Sequence, residues 1–498
     1  MKLRIIALVL CLAMLIPALV ACTTTGNNGE DSKTDSGTKA DDAKVTDKQP
    51  TDSVTDAFEP DDIPTDLKIN RTMTMLYWKE HTNMEFFPKE QQTNGDTIND
   101  ALIARADALS ERLGVDFNFV EQSGDGSTAN MAAYVERVEA DRDGTKEYDI
   151  VACYSRVAPT LALRGLNAKL NELEYLNFSK PWWPKSLVSQ VTVGNNLYFC
   201  SGDISTNLLW MMEATFYNMD LIKSYTDVED PMQLVKKNEW TFDKFFEICE
   251  GKHESGATEI YGCVLFNTNI DAYQTAAGIF AVDNNDGTLS LGKEYGSVKI
   301  SDFIDRMISF IQSDDVSYKN STSIRDLFFN KQALFTTDRV FIIYGKDSSS
   351  SSKNIDFDYG IVPNPKLTKT QNFYTNVGHP FTMYCIPSYI SEDKQNESAA
   401  TLECLASESH RNVTTPLFDV VMKARYTTDP MAREMFDLIR SSIVFEVGRI
   451  FNIDSYYTSK HFREVIISGK NTWKSDFGSH KTPMETAITE INTKLGGN

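Results

Sequence analysis

The order of periodicities between residues 72 and 154 constrains this chain most. "TMTMLYW" (72–78) mixes alternation with β-branched and aromatic residues and reads as a strand. "TINDALIARADALSERLG" (97–114) places Ile98, Leu102, Ala106 and Leu109 at helical spacing, with Thr97 or Asp96 to cap the helix and Gly114 to end it. "VDFNFVEQ" (115–122) alternates strictly as a strand, a helical stretch covers 128–141, and "YDIVACY" (148–154) is a nearly continuous apolar run, the kind buried on both faces. Strand, helix, strand, helix, strand requires a parallel sheet with right-handed crossovers, since parallel neighbours need a crossover that carries the chain back to the starting end. The first part of the chain is α/β.

In such sheets ligands settle beyond the carboxyl ends of the strands. The first strand ends at Trp78 and Glu80, the third at Tyr154 and Ser155. Each end sets an aromatic ring beside polar groups. That pairing suits a sugar, which offers an apolar face for stacking and a rim of hydroxyls for hydrogen bonds.

With 498 residues, the chain is too long for one ordinary core and suits two lobes. A turn is expected at Gly194-Asn195-Asn196 between apolar strands, and "WMMEATFYNMDLIKSY" (210–225) as a strand running into a helix. "EWTFDKFFEICEGKH" (239–253) reads as a helix capped by Thr241, "YGCVLF" (261–266) as a strand, and 324–345 as helix, strand, helix. "DYGIVPNPK" (358–366) is a stiff connection, "FTMYCIP" (381–387) a strand, and both 396–409 and 429–452 are expected to be helical. "VDNNDGTLSLG" (282–292) is a turn and not a calcium loop: with Gly287 at the sixth position, Val282 and Lys293 fall where oxygen ligands are needed.

At the amino end, Lys2 and Arg4 precede the 17-residue apolar run "IIALVLCLAMLIPALVA". A positive start, an apolar core and a small residue at its end form an export signal. The run is marginal for a membrane span, which needs roughly 20 residues. Its end, Leu19-Val20-Ala21-Cys22, resembles the lipobox of bacterial lipoproteins, which implies cleavage before Cys22 and diacylglycerol on its thiol. Residues 22–65 then form an acidic linker. Over 23–66 there are 12 acidic and 4 basic side chains, a balance of −8, and scarcely any large apolar residue, so the segment is expected to act as a disordered tether. The formal charge of −21, with no basic stripe, argues against a nucleic-acid partner. Beyond the leader and Cys22, six widely spaced cysteines remain, mostly in apolar runs; no Cys or His cluster points to a metal, and no cofactor motif is present. No G-x-S-x-G, H-E-x-x-H or G-x-x-x-x-G-K-[ST] motif occurs, so the expectation is a binding protein without catalysis.

Taken in order, "YDIVACYSRVAPTLALRGLNAKLNEL", "FYNMDLIKSY", "EWTFDKFFEI", "KQALFTTDR", "DYGIVPNPK" and "YCIP…NESAATLECLASES" resemble the extracellular solute-binding lipoproteins of carbohydrate ABC importers, the maltodextrin-binding class. The resemblance covers the chain from about 70 to 452. It implies a two-lobed periplasmic-binding-protein-like fold (type II) with a hinge and discontinuous lobes: 66–213 with 364–412, and 214–363 with 413–498. It implies ligand contacts at Trp78, Glu80, Tyr154 and Ser155, at Asp203, Trp210 and Glu213 on the first crossing between lobes, at Tyr273 and Arg339 on the far lobe, and at His379 beside the return strand. The implied partners are a carbohydrate, the permease subunits of an importer and the membrane through the lipid alone, with the protein a monomer on the outer face of the cell membrane. A peptide-binding lipoprotein or a ligand-sensing surface module fits the residues as an alternative.

Overall fold

A computed structural model describes residues 59–80, 85–86, 93, 95–125, 127–344, 355–424, 430–454 and 457–497. The export signal, Cys22 and all but the end of the acidic linker lie outside the described residues. Two sheets organise the fold. The first contains β1 (Arg71–Trp78), β2 (Val115–Gln122), β3 (Ile150–Tyr154) and, much later in the chain, β12 (Thr382–Cys385). Its order is β12-β3-β1-β2, with β1 parallel to both neighbours and β12 antiparallel to β3. The parallel core follows the expected strand–helix alternation, and an antiparallel edge completes it. Successive β1 side chains point to opposite faces: Met73 and Met75 pack with Leu109 and Leu113, while Leu76 and Trp78 belong to the core on the other side.

The second sheet takes β4 (Glu213–Asn218), β5 (Tyr261–Phe266), β8 (Val316–Lys319), β9 (Ala333–Arg339) and β10 (Tyr359–Val362), in the order β10-β4-β9-β5-β8. A hairpin of β6 (Val282–Asn285) and β7 (Thr288–Leu291) and a two-stranded pair of β11 (Asn376–Val377) and β13 (Ile443–Val444) stand apart.

The chain passes between the two sheets where three segments meet. Met212 bridges Gly378, the His379 amide donates to the Met211 carbonyl at 3.0 Å, and β11 pairs with β13. This junction fixes the carboxyl ends of β1 and β3 next to β4 and β9. Local expectations hold at many ends: Asp96 accepts from the Ile98 and Asn99 amides to cap Thr97–Leu113, and Thr241 accepts from Lys244 to cap Phe242–Cys249. Two expectations give way. The stretch before the turn at 194–196 holds a helix, Lys185–Val191, where a strand was expected. The stretch 429–452 divides into helix Pro430–Ser441, strand β13 and helix Val447–Ile450. The six described cysteines are buried free thiols.

Candidate functional site

The expected residues divide into a group that meets at the junction and a group that does not. Tyr154, at the end of β3, shares a 2.8 Å hydrogen bond between its hydroxyl and Nε2 of His379. Ser155 follows, its amide donating to the Phe381 carbonyl at 3.1 Å. From the second sheet, Arg339 at the end of β9 donates from Nε to the His379 carbonyl at 2.6 Å. The β4–β9 register sets Glu213 opposite Arg339, with 3.7 Å between Oε1 and Nε. Both sheets and the crossing segments thus contribute to one polar cluster. Glu80 stands at its margin, where Oε2 accepts from the Gly124 amide at 2.9 Å.

Trp78 backs this cluster without opening onto it. Its indole is wholly buried, stacks on Tyr154 at 5.2 Å and donates from Nε1 to Thr382 Oγ1 at 2.7 Å. Trp210 is buried in the short helix Asn207–Trp210, one turn before Glu213. Asp203 and Tyr273 lie elsewhere. Asp203 bonds His410 at 2.5 Å, and its amide donates to the Trp182 carbonyl, within the core behind the first sheet. Tyr273 is fully buried against Phe242 and Phe245, with its hydroxyl 2.8 Å from Thr337 Oγ1.

Residues that the sequence reading passed over complete the site. A cavity at the junction has Ser155, Arg156, His379, Phe381, Glu446 and Arg449 among its lining residues. A second hollow shares Arg449 and adds Asp271, Gln274 and Tyr457. Arg156 is one residue beyond the strand end already singled out, so the strand-end rule was stopped one position short. Asp271 and Arg449 carry no comparable local signal, because distant parts of the chain bring them in.

Burial dominates the electrostatics. It pushes the Glu213 carboxyl up to about 7, with Arg339 and Arg449 pulling the other way. Asp125, which follows Gly124, is pushed up to about 6 by burial and then by Glu80, against the pull of Arg339. Asp271 is likewise raised to about 6 by burial, against Arg463 and Arg449. Oε2 of Glu213 and Oδ1 of Asp271 are buried acceptors without a hydrogen-bond partner, and Nε of Arg156 and of Arg449 are buried donors in the same condition. Unpaired buried polar atoms of both kinds, at a junction of two sheets, are what a polyhydroxylated ligand would satisfy. Among the described residues no group of His, Cys, Asp and Glu side chains is arranged to hold a metal.

No family model matches the chain, and no curated protein matches it. Solved structures do. The chain is similar to a cyclo/maltodextrin-binding protein complexed with maltotetraose, at 14% identity and a TM-score of 0.50, covering 82% of this chain and 97% of that one. It is similar to the cyclic α-maltosyl-1,6-maltose binding protein from Arthrobacter globiformis, at 12% identity and 0.52, covering 86% and 100%. It is also similar to UgpB from Mycobacterium tuberculosis in complex with glycerophosphocholine, at 13% and 0.50, covering 79% and 95%. Across so low an identity the shared property is the fold: two α/β lobes of the periplasmic-binding-protein kind.

Proposed function

We propose that this protein is the substrate-binding component of an ABC importer and captures a sugar or oligosaccharide between its two lobes. The observation that carries the reading is the convergence of Tyr154, His379, Glu213 and Arg339 from both sheets on the junction, at the strand ends where such folds take ligands. The maltotetraose bound in one similar structure, and the name of another as a cyclic α-maltosyl-1,6-maltose binding protein, support a carbohydrate. The ligand set consists of the expected residues at the junction, with Glu80 at its rim and Trp78 and Trp210 behind it.

Binding proceeds without turnover. In the reading proposed here, the lobes comprise 66–213 with 364–412, and 214–363 with 413–498, and rotate about the crossing segments. Cys22 carries the lipid that holds the protein at the outer face of the membrane beside its permease. Two acyl chains are enough for stable anchoring, whereas one gives only marginal binding.

A thermal-shift screen of the purified protein against a glycan library tests the central claim. A sugar that binds only the folded state raises the melting temperature, and a broad library without a single hit would overturn it. Membrane fractionation tests the anchor: Cys22→Ala is expected in the soluble or secreted fraction. Unchanged processing and membrane retention of that variant would remove the lipoprotein reading.

A further inference from the structure

Arg156 and Arg449 reach one cavity from distant parts of the chain, the first just after β3 and the second from the helix Val447–Ile450 that follows β13. Each has a buried Nε without a hydrogen-bond partner. Arg156 donates from its terminal nitrogen to Asn452 Oδ1, an uncharged acceptor. The chain has 70 acidic and 49 basic residues, so acidic partners are not scarce.

The carboxylates nearby each have another partner as well. Asp271 is held by Arg463. Glu446 spends its oxygens on the backbone amides of Ala281, Val282 and Arg449. Glu213 faces Arg339. Burial lowers the Arg156 guanidinium from its usual range, Tyr154 and Asp271 oppose that shift, and the like charge of Arg449 adds to it. Two guanidinium groups that line one cavity repel one another, and an anion placed between them relieves that repulsion.

We propose that the ligand of this cleft is an acidic carbohydrate, a sugar acid or a sugar phosphate, whose anionic group sits between Arg156 and Arg449. The proposal rests on the sugar-binding reading above and narrows it. A guanidinium fork matches carboxylate and phosphate alike. The unpartnered oxygens of Glu213 and Asp271 would accept hydrogen bonds from the hydroxyls of the same molecule, so acid and hydroxyl groups are read together. An anion touching both arginines contacts elements that belong to different proposed lobes. It therefore favours the closed arrangement through interactions the open one lacks.

The test pairs acidic sugars with their neutral counterparts at constant ionic strength: galacturonate with galactose, glucose 6-phosphate with glucose, their oligosaccharides, and inorganic phosphate alone. Melting temperature and calorimetric titration of the purified protein are the readouts. The expected result is a response to an acidic member at least tenfold tighter than to its neutral partner, and the carboxylate and phosphate arms identify which acid is read. Arg156→Gln with Arg449→Gln is expected to abolish that preference. Should the double variant fail to fold, Arg156→Lys and Arg449→Lys keep the charge, lose the fork, and are each expected to weaken the acidic ligand severalfold. Equal binding of neutral and acidic partners, undiminished acidic binding in the variants, or a response to inorganic phosphate with no dependence on the sugar would each overturn the inference. The first two of these leave sugar binding intact, whereas silence across the whole panel and the wider library would overturn both readings.

Discussion

At the scale of single residues, Glu213 makes a prediction with a definite sign. Its carboxyl is pushed by burial from an ordinary 4.5 up to about 7. The folded protein therefore binds this proton more tightly than the unfolded chain does. Stability from this group is full below about 4.5, falls as pH rises through the interval, and reaches its lowest level above about 7. The difference across the window is about 3 kcal/mol by proton linkage. Glu213→Gln should flatten the dependence, which urea denaturation at pH 5 and pH 8 would show as a smaller change than in the parent. Equal slopes for the two proteins would place the titration in other groups, such as Asp125 and Asp271. Trp78 gives a prediction of another kind. Because its ring has no exposed surface, Trp78→Ala should cost about 3–5 kcal/mol of stability as a core truncation, read from the denaturation midpoint. Near-parental stability combined with lost sugar binding would show that the ring meets the ligand instead. The strand-end rule marked Tyr154 and Ser155, whereas Glu213, Arg339 and His379 were implied by the family resemblance alone. The sequence could not separate them from Asp203, whose partner His410 lies 207 positions away, or from Tyr273, whose aromatic neighbours form a core.

At the scale of elements, the β1–β3 unit was legible because strict alternation and helical spacing leave one consistent solution. Short apolar runs leave two. "KSLVSQV" forms the helix Lys185–Val191, and "IVFEVGRI" forms a strand and a short helix, because pairing with β11 decides the second case and no local pattern encodes it. That short helix carries the least visible part of the site. Glu446 caps it by accepting from the Arg449 amide at 2.5 Å, and its other oxygen accepts from the Ala281 amide at 3.0 Å at the entrance to β6. One buried carboxylate thus fixes Arg449 to the hairpin. Glu446→Ala should lower stability by about 3 kcal/mol, since buried amides would lose a charged acceptor. It should also weaken ligand binding, since the helix bearing Arg449 would no longer be held. Denaturation and titration of the same variant check both, and a loss of stability with unchanged affinity would separate the cap from the site.

At the scale of the whole molecule, a second set of contacts links segments that the proposed lobe division assigns to opposite sides. Asn284, in β6, donates from Nδ2 to the carbonyls of Ser189, Gln190 and Thr192 at 3.2, 2.8 and 2.9 Å. These are the unsatisfied carbonyls at the end of helix Lys185–Val191, which a donor stabilises. Its Oδ1 accepts from the Gly287 amide, and the Gly287 carbonyl accepts from the Gly194 amide at 2.8 Å. The backbones approach so closely that a Cβ on Gly287 would come within 2.3 Å of the Gly194 carbonyl oxygen, and one on Gly194 within 2.5 Å of that of Gly496. Both Gly194 and Gly287 also have positive φ, 59° and 86°, so a side chain there meets a conformational penalty as well as a clash. If 189–196 and 284–287 move with different lobes, these bonds stabilise the arrangement in which the cleft is closed, and a ligand that requires closure benefits from them. Asn284→Ala removes the donor without adding bulk and should cost the closed arrangement about 1–2 kcal/mol, which is roughly 5- to 30-fold in apparent sugar affinity. Small-angle scattering should show a larger radius of gyration for the variant without ligand, shrinking to the parental value at saturation. If the junction is instead a pivot kept in both states, the variant will melt earlier while its scattering profile and its affinity match the parent, and the division of the chain between lobes must then be redrawn around residues 189–196.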